Sequence, residues 1–360
     1  MREIRSINIK DEAEVGAARR AVHQYAREIG FTDTELAEID IVVQEIGTNA
    51  VRYAKDGGAL HFATPLESTA ISGLELFYCD KGPGIYNLDR AVRDGVSSSG
   101  SLGSGLGAIR RLMDEFEVYS TVRSTARLSL ANMRRTTHGT ALLARKWTAA
   151  AKSHKRAMNN TSDAGDALTL KHRIGAWSRP YPGEDANGDA YYVRTREAQT
   201  LLAVVDGLGH GHGAQVAANV VLGLLDEWAG EPVGEILMAA HEALRATRGA
   251  VMSVVVIDTE SNRFHYAGVG NVLARAFDTP ERISLISSNG TLGSRLGTVR
   301  VWTNAWSAGT TIVMASDGLS ATWDMALYPG LLQKSPQLLA GVLMRDYARE
   351  TDDATILVVR

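Results

Sequence analysis

The sequence predicts a two-domain α/β protein, and three observations carry that expectation. The chain has 360 residues, past the size at which one hydrophobic core keeps growing. A small, polar stretch without aromatics, TAAAKSHKRAMNNTSDAGDA at residues 148–167, shows no steady apolar period, and the linker is set at residues 148–168. The texture changes across it: helical and strand periods alternate before, and short β-rich runs with two or three helices follow.

The elements follow in order. EVGAARRAVHQYAREIG carries Val15, Ala18, Val22, Tyr25 and Ile29 on one helical stripe and stops at Gly30. TDTELAEIDIVVQEIGTNAVRYA opens on a Thr32 or Asp33 cap and has a strong 3.6-residue pattern, with Ile41, Val42, Ile46 and Val51 on its apolar side. ALHFATP and GLELFYCD read as strands, SSSGSLGSGLG as a loop, AIRRLMDEFEVY as a helix and GTALLARKW as a closing strand. Beyond the linker, TLLAVVD, VMSVVVID, RFHYAGVG and TTIVMASDG read as strands, and AQVAANVVLGLLDEW as a helix. No internal repeat joins the halves.

Composition excludes several classes. A net charge of −3 provides no basic field for nucleic acid. The single cysteine, Cys79, excludes an intrachain disulfide and a cysteine zinc site, and its place after LELFY reads as a buried strand position. The N-terminus lacks a signal-peptide core and no apolar run is long enough to span a bilayer, so a cytoplasmic chain without a membrane partner is expected.

Four motifs of the first half bear on chemistry. Glu45 and Asn49 lie four apart, hence on one helix face, and suit a proton acceptor beside an amide oxygen that helps hold a cation. In CDKGPGI, Asp80 closes a strand where its carboxylate can accept from an exocyclic amine, and Gly82 and Gly84 permit close approach. Gly103, Gly105 and Gly107 match neither the P-loop nor the dinucleotide fingerprint, yet their amides can face phosphate at the start of a helix. Thr140 opens the last strand, in HGTALLA.

In the order E-x-x-x-N, D-x-G-x-G, G-x-G-x-G and G-T, residues 1–147 resemble the GHKL family, and most closely its stressosome serine kinases. The resemblance implies a Bergerat-type α/β sandwich with a mixed sheet, binding ATP or ADP with Mg²⁺. It makes Glu45 the general base, Asn49 a magnesium ligand and Asp80 the adenine contact. Gly82 and Gly84 would line the base pocket, Gly103, Gly105 and Gly107 the phosphate lid, and Thr140 would complete the site.

In the second half, acidic residues stand at strand edges: Asp189 in ANGDAYY, Asp206 in VVDGLGHGHGA, Asp317 in MASDGL, and Asp352 with Asp353 in TDDATILVV. Carboxylates of this kind are hard ligands suited to Mg²⁺ or Mn²⁺. His210 and His212 lie in a glycine-rich loop before a helix and are left outside the ligand set. The series GD, DGLGHG, GVGN, SDGL and DDAT resembles metal-dependent PPM phosphatases of the SpoIIE-like branch over residues 169–360. That resemblance implies a four-layer α-β-β-α sandwich with two Mn²⁺ or Mg²⁺ ions. Asp189, Asp206, Asp317 and Asp352 would hold them, with the Gly207 carbonyl assisting and Asp206 bridging. Asp353 stands where the wider family often has Asn, so either of the adjacent pair fits as ligand.

Together the resemblances imply a bifunctional regulator acting on STAS-domain stressosome or anti-anti-sigma proteins of a partner-switching system, one half adding phosphate and the other removing it. An alternative keeps only the phosphatase active, regulated in cis by a nucleotide-sensing domain that binds a sigma factor or a downstream phosphatase.

Overall fold

The computed structural model describes residues 2–66, 72–93, 105–122, 137–153, 173–279, 281 and 283–360. These gather into two compact units: Arg2–Ala167 with Asp324–Asp346, and Leu168–Trp323 with Tyr347–Arg360.

The first unit is built on strands β1 (Arg5–Ile9), β2 (Gly58–Ala63), β3 (Gly73–Asp80), β4 (Glu115–Thr121) and β5 (Gly139–Trp147), ordered β1-β2-β3-β5-β4. Helix α1 (Glu12–Glu28) starts where Asp11 accepts from the Glu14 amide, and α2 (Asp33–Tyr53) starts with a capping box between Thr32 and Glu35. Thr32, not Asp33, is therefore the cap. Val15, Ala18 and Val22 of α1 and Leu36, Ile39, Val42, Val43 and Ile46 of α2 meet Leu60, Leu74, Leu76 and Leu142 of the sheet in one core. Ile41, expected on the apolar side, is 49% exposed instead.

Two expectations are corrected here. Every pairing in the sheet is antiparallel, where a mixed sheet was expected. Two consecutive helices lead from β1 to β2, so the chain re-enters the sheet reversed. The segment AIRRLMDEFEVY is not one helix: α4 (Gly105–Leu112) stops, and β4 begins at Glu115. The alternation in EFEVYST pairs with β5 along seven residues, and that tertiary pairing overrides the helical reading.

Beneath the sheet, Glu75 of β3 is 1% exposed and ion-paired with Arg2 at 2.8 Å and Arg145 at 2.7 Å. Burial alone would raise its carboxyl, but the two guanidinium charges outweigh it and hold the group below the usual range. Cys79 is a buried free thiol, pushed up to about 12 by burial.

The second unit stacks two antiparallel sheets. One holds β7 (Asp189–Arg196), β8 (Gln199–Gly207), β9 (Ala250–Asp258), β10 (Arg263–Val269) and β14 (Val301–Ala305). The other holds β6 (Ile174–Arg179), β11 (Leu273–Phe277), β15 (Thr311–Ala315) and β16 (Ala354–Val359). Helices α5 (His212–Asp226) and α6 (Val233–Ala243) cover the first sheet, placing Ala217, Val221, Leu225, Ile236 and Leu237 against Leu201, Ala203, Val205 and Val254. Helix α7 (Pro336–Tyr347) follows in the chain but, up to Asp346, is gathered with the first unit.

Candidate functional site

In the first unit, α2 carries Glu45, Asn49 and Tyr53 one turn apart on one face. Gly105, the first residue of α4, sits over the upper pair: a Cβ built on it would lie 3.3 Å from Glu45 Oε2 and 3.4 Å from Asn49 Nδ2. A carboxylate and an amide thus face the amino end of a helix, where unpaired backbone N–H groups favour anions. At the lower end, a Cβ on Gly82 would lie 3.1 Å from the Tyr53 carbonyl. One face of α2 therefore runs from the α4 amino end to the Asp80 corner.

That corner is tightly bonded. Asp80 Oδ1 accepts from Gly82 N at 2.7 Å and Thr140 N at 3.2 Å, and neither amide engages Oδ2. Gly139 holds φ at 133°, and a Cβ there would stand 2.1 Å from the Asp80 carbonyl, so only glycine lets β5 start so close. Gly84 has φ 77° and lies against the Thr121 carbonyl. The Thr140 hydroxyl meets Ser120 Oγ at 3.0 Å, and Ser120 Oγ accepts from Ile85 N at 2.8 Å. Gly107 is buried inside α4. Gly103 lies outside the described residues.

Two residues at this corner were not singled out from the sequence. His138 Nδ1 contacts the Gly82 carbonyl at 2.7 Å. Arg345 Nη1 donates to the Asp80 carbonyl at 3.1 Å, from a position 265 residues further along the chain. The H of HGT was a visible signal for the first; Arg345 had none.

In the second unit, the register of β7 with β8 sets Asp189 directly opposite Asp206. Asp189 is 2% exposed and accepts from Ser316 Oγ at 2.5 Å. The Asp317 backbone N–H donates to the Asp206 carboxyl, and Asn271 of GVGN donates to Asp317 Oδ2. Asp352 Oδ1 accepts from Asp353 N at 3.0 Å, and Asp353 Oδ1 from Tyr181 N at 2.8 Å. Asp353 Oδ2 is buried without a hydrogen bond. Gly207 N donates to the Gly188 carbonyl at 3.0 Å, fixing the turn after Asp206.

These carboxyls repel one another. Burial, then the charges of Asp189, Asp317 and Asp352, push Asp206 up to about 9. Burial, opposed by the Ser316 hydrogen bond and reinforced by Asp353 and Asp352, pushes Asp189 up to about 8. Asp317 and Asp353 are raised too, burial being the leading cause in each. The charge of Asp352 thus acts on Asp189, Asp206 and Asp317, whereas that of Asp353 acts on Asp189. His210 Nδ1 contacts Glu184 Oε1 at 2.6 Å, and its ring stacks on Tyr181.

Among the described residues, no three acidic, imidazole or thiol groups converge closely enough to cage an ion. Mutually repelling carboxyls with an orphaned buried oxygen fit instead hydrated dications, each of which keeps several waters and takes one or two carboxylates. Among the described residues, no helix is long and apolar enough to cross a membrane.

Comparison with known proteins matches a different family to each half of the chain. The family described as histidine kinase-like ATPase domain matches residues 10–130, and that described as stage II sporulation protein E (SpoIIE) matches residues 196–360. The chain is similar to the serine/threonine-protein kinase RsbT of Bacillus subtilis, 35% identical over 117 residues, which are 32% of this chain and 84% of that protein. It is similar to the phosphoserine phosphatase RsbX of Bacillus subtilis, 27% identical over 139 residues, or 38% of this chain and 70% of that protein. A solved structure described under "The bacterial stressosome: a modular system that has been adapted to control secondary messenger signaling" superposes with TM-score 0.50 and 28% identity. It covers 53% of this chain and 100% of its own.

Proposed function

We propose, because the chain belongs to the histidine kinase-like ATPase family in its first half and to the SpoIIE family of PP2C-type phosphatases in its second, that it runs a phosphorylation switch in both directions. The first half is an ATP-dependent serine/threonine kinase and the second a metal-dependent phosphoserine/phosphothreonine phosphatase, both acting on STAS-domain proteins. The observation that carries this reading is the pairing, in one chain, of Glu45 and Asn49 beneath the α4 amino end with the repelling carboxyls around Asp206.

In the kinase half, phosphoryl transfer asks for alignment, charge neutralisation and a proton acceptor. Asp80, its side chain held in place by the Gly82 and Thr140 amides, would accept a hydrogen bond from the exocyclic amine of adenine. The amino end of α4 would take the phosphates, Asn49 would hold Mg²⁺, and Glu45 would take the proton of the incoming hydroxyl.

In the phosphatase half, two Mn²⁺ or Mg²⁺ ions supply an activated water and neutralise phosphate charge when bound. Asp206, Asp189, Asp317 and Asp352 would hold them, with the Gly207 carbonyl assisting. Ser316 fixes the rotamer of Asp189, and Asn271 that of Asp317. Asp352 is preferred to Asp353 because its charge bears on three of the other carboxyls.

The test is transfer of label from γ-³²P-ATP to a STAS-domain protein, then its release with Mn²⁺. Label on the partner, and its loss in wild type but not in Asp206→Ala, supports both activities. ATP binding without transfer leaves the alternative reading, phosphatase with a nucleotide-sensing front half. That second reading is favoured by one observation: Asp324–Asp346, lying in sequence between Asp317 and Asp352, packs in the nucleotide unit.

A further inference from the structure

The segment Asp324–Asp346 leaves the second unit and returns to it after completing the first. Two of its contacts fall on one face of the nucleotide unit's sheet, at Phe77 and Glu117. Gly341 of α7 abuts Phe77 of β3, where a built Cβ would lie 2.4 Å from ring Cζ. The Ser335 amide donates to both Glu117 carboxylate oxygens at 3.2 Å. At the far end, Arg345 and Asp346 form a bidentate pair at 2.7 and 2.8 Å, with side chains only 3% and 2% exposed. Asp346 also accepts from the Tyr328 hydroxyl at 2.8 Å, so the guanidinium is locked before it reaches the Asp80 carbonyl.

The base of this excursion is equally defined, and it lies within the second unit. Ser320 N donates to the Tyr347 carbonyl at 3.0 Å and Arg349 N to the Gly318 carbonyl at 2.8 Å, around a bridge of Leu319 with Ala348. These two paired legs start directly after Asp317 and end three residues before Asp352. A short ladder therefore ties both carboxylates to a segment whose tip grips the adenine-side corner.

We propose that Arg345 is a positioning residue of the nucleotide site, and that the Asp324–Asp346 excursion links nucleotide occupancy to the Asp317 and Asp352 carboxylates. The inference rests on the reading of Asp80 as the nucleotide contact and of the carboxylates as metal ligands. Arg345 acts through the Asp80 carbonyl. It fixes the peptide whose side chain receives the Gly82 and Thr140 amides. A nucleotide that draws on Asp80 shifts the preferred place of that carbonyl, and the buried Arg345–Asp346 pair passes the shift into α7 as a rigid unit.

The experiment uses the full chain with AMP-PNP and Mg²⁺, so that no phosphate is transferred. Nucleotide affinity is measured directly, and hydrolysis of p-nitrophenyl phosphate with Mn²⁺ is measured with and without the analogue. In wild type the two hydrolysis rates differ about fivefold, the lower end of typical allosteric coupling. Arg345→Lys keeps the charge but loses the fork; it weakens AMP-PNP about tenfold and returns the rate ratio to one. A merely structural role would scale both rates and leave the ratio unchanged. Hydrogen exchange on wild type gives a second measure that needs no variant: AMP-PNP slows exchange in residues 318–320 and 336–349. Wild-type affinity in Arg345→Lys, or protection confined to residues 2–153, overturns the proposal. Failure of AMP-PNP to bind wild type removes the nucleotide reading as well, whereas binding with an unchanged ratio removes this inference alone.

Discussion

Replacing Asp206 by Asn separates the two demands on that carboxyl. In the metal-free protein Asp206 is raised from 3.8 to about 9 by burial and by Asp189, Asp317 and Asp352. A raised folded-state value contributes stability that is complete below the unfolded value and is lost as pH climbs through the folded one. At pH 7 the group lies about three pH units above its unfolded value, which at about 1.4 kcal/mol each sets a ceiling of roughly 4 kcal/mol. Asp189 shares the same repulsion, so about half, ~2 kcal/mol, belongs to Asp206. Asn keeps the shape and sheds the charge. In EDTA at pH 7 its unfolding midpoint rises by about 4–8 °C, at roughly 2–4 °C per kcal/mol for a unit of this size. The gain vanishes near pH 4 and grows towards pH 9, while Mn²⁺-dependent phosphatase activity falls to background. Thermal scans in EDTA at pH 4, 7 and 9 check this. An Asn variant less stable than wild type at pH 7, or a difference that does not grow with pH, refutes the electrostatic account.

Other variants probe the remaining links. Glu45→Gln keeps nucleotide affinity within about threefold and lowers phosphoryl transfer by about 10²–10⁴, read from label on the STAS partner against a direct binding titration. Glu75→Ala removes the buried carboxylate that Arg2 and Arg145 share and costs about 3–5 kcal/mol, measured by urea unfolding. Asn271→Ala frees Asp317 and weakens Mn²⁺ by about 10–100-fold in a metal titration of phosphatase activity. Gly341→Ala drives a methyl into the Phe77 ring and costs about 1–3 kcal/mol, seen as a lower urea midpoint at unchanged slope.

Legibility in the sequence followed the range of the interactions involved. Helices α1 and α2 were readable because caps and a 3.6-residue stripe are local, and the structure decides only which of Thr32 and Asp33 caps. The strand Glu115–Thr121 was hidden because its preference comes from β5, which no window of the sequence contains. Glu45 and Asn49 were readable as a pair because helix geometry alone puts them on one face. Asp189 and Asp206 were readable as acidic strand ends, but their direct opposition across β7 and β8 is a matter of register. Ser316 and Asn271 lie inside the motifs SDGL and GVGN, but their roles stayed out of sight because a hydroxyl or amide holding a carboxylate has no sequence signature of its own. Arg345 was the least legible: its partner lies 265 residues away, in the other half of the sequence.

The placement of Asp324–Asp346 also bears on how the protein is made. Phe77 of the nucleotide half is 2% exposed and abuts Gly341, which lies far beyond Ala167 in the chain. During synthesis the nucleotide half therefore waits, incompletely covered, until Gly341 and the residues around it have emerged from the ribosome. A transcript cut short after the linker yields a half lacking its own last layer. The chain is thus arranged so that the nucleotide half is not finished until nearly all of the phosphatase half has been translated.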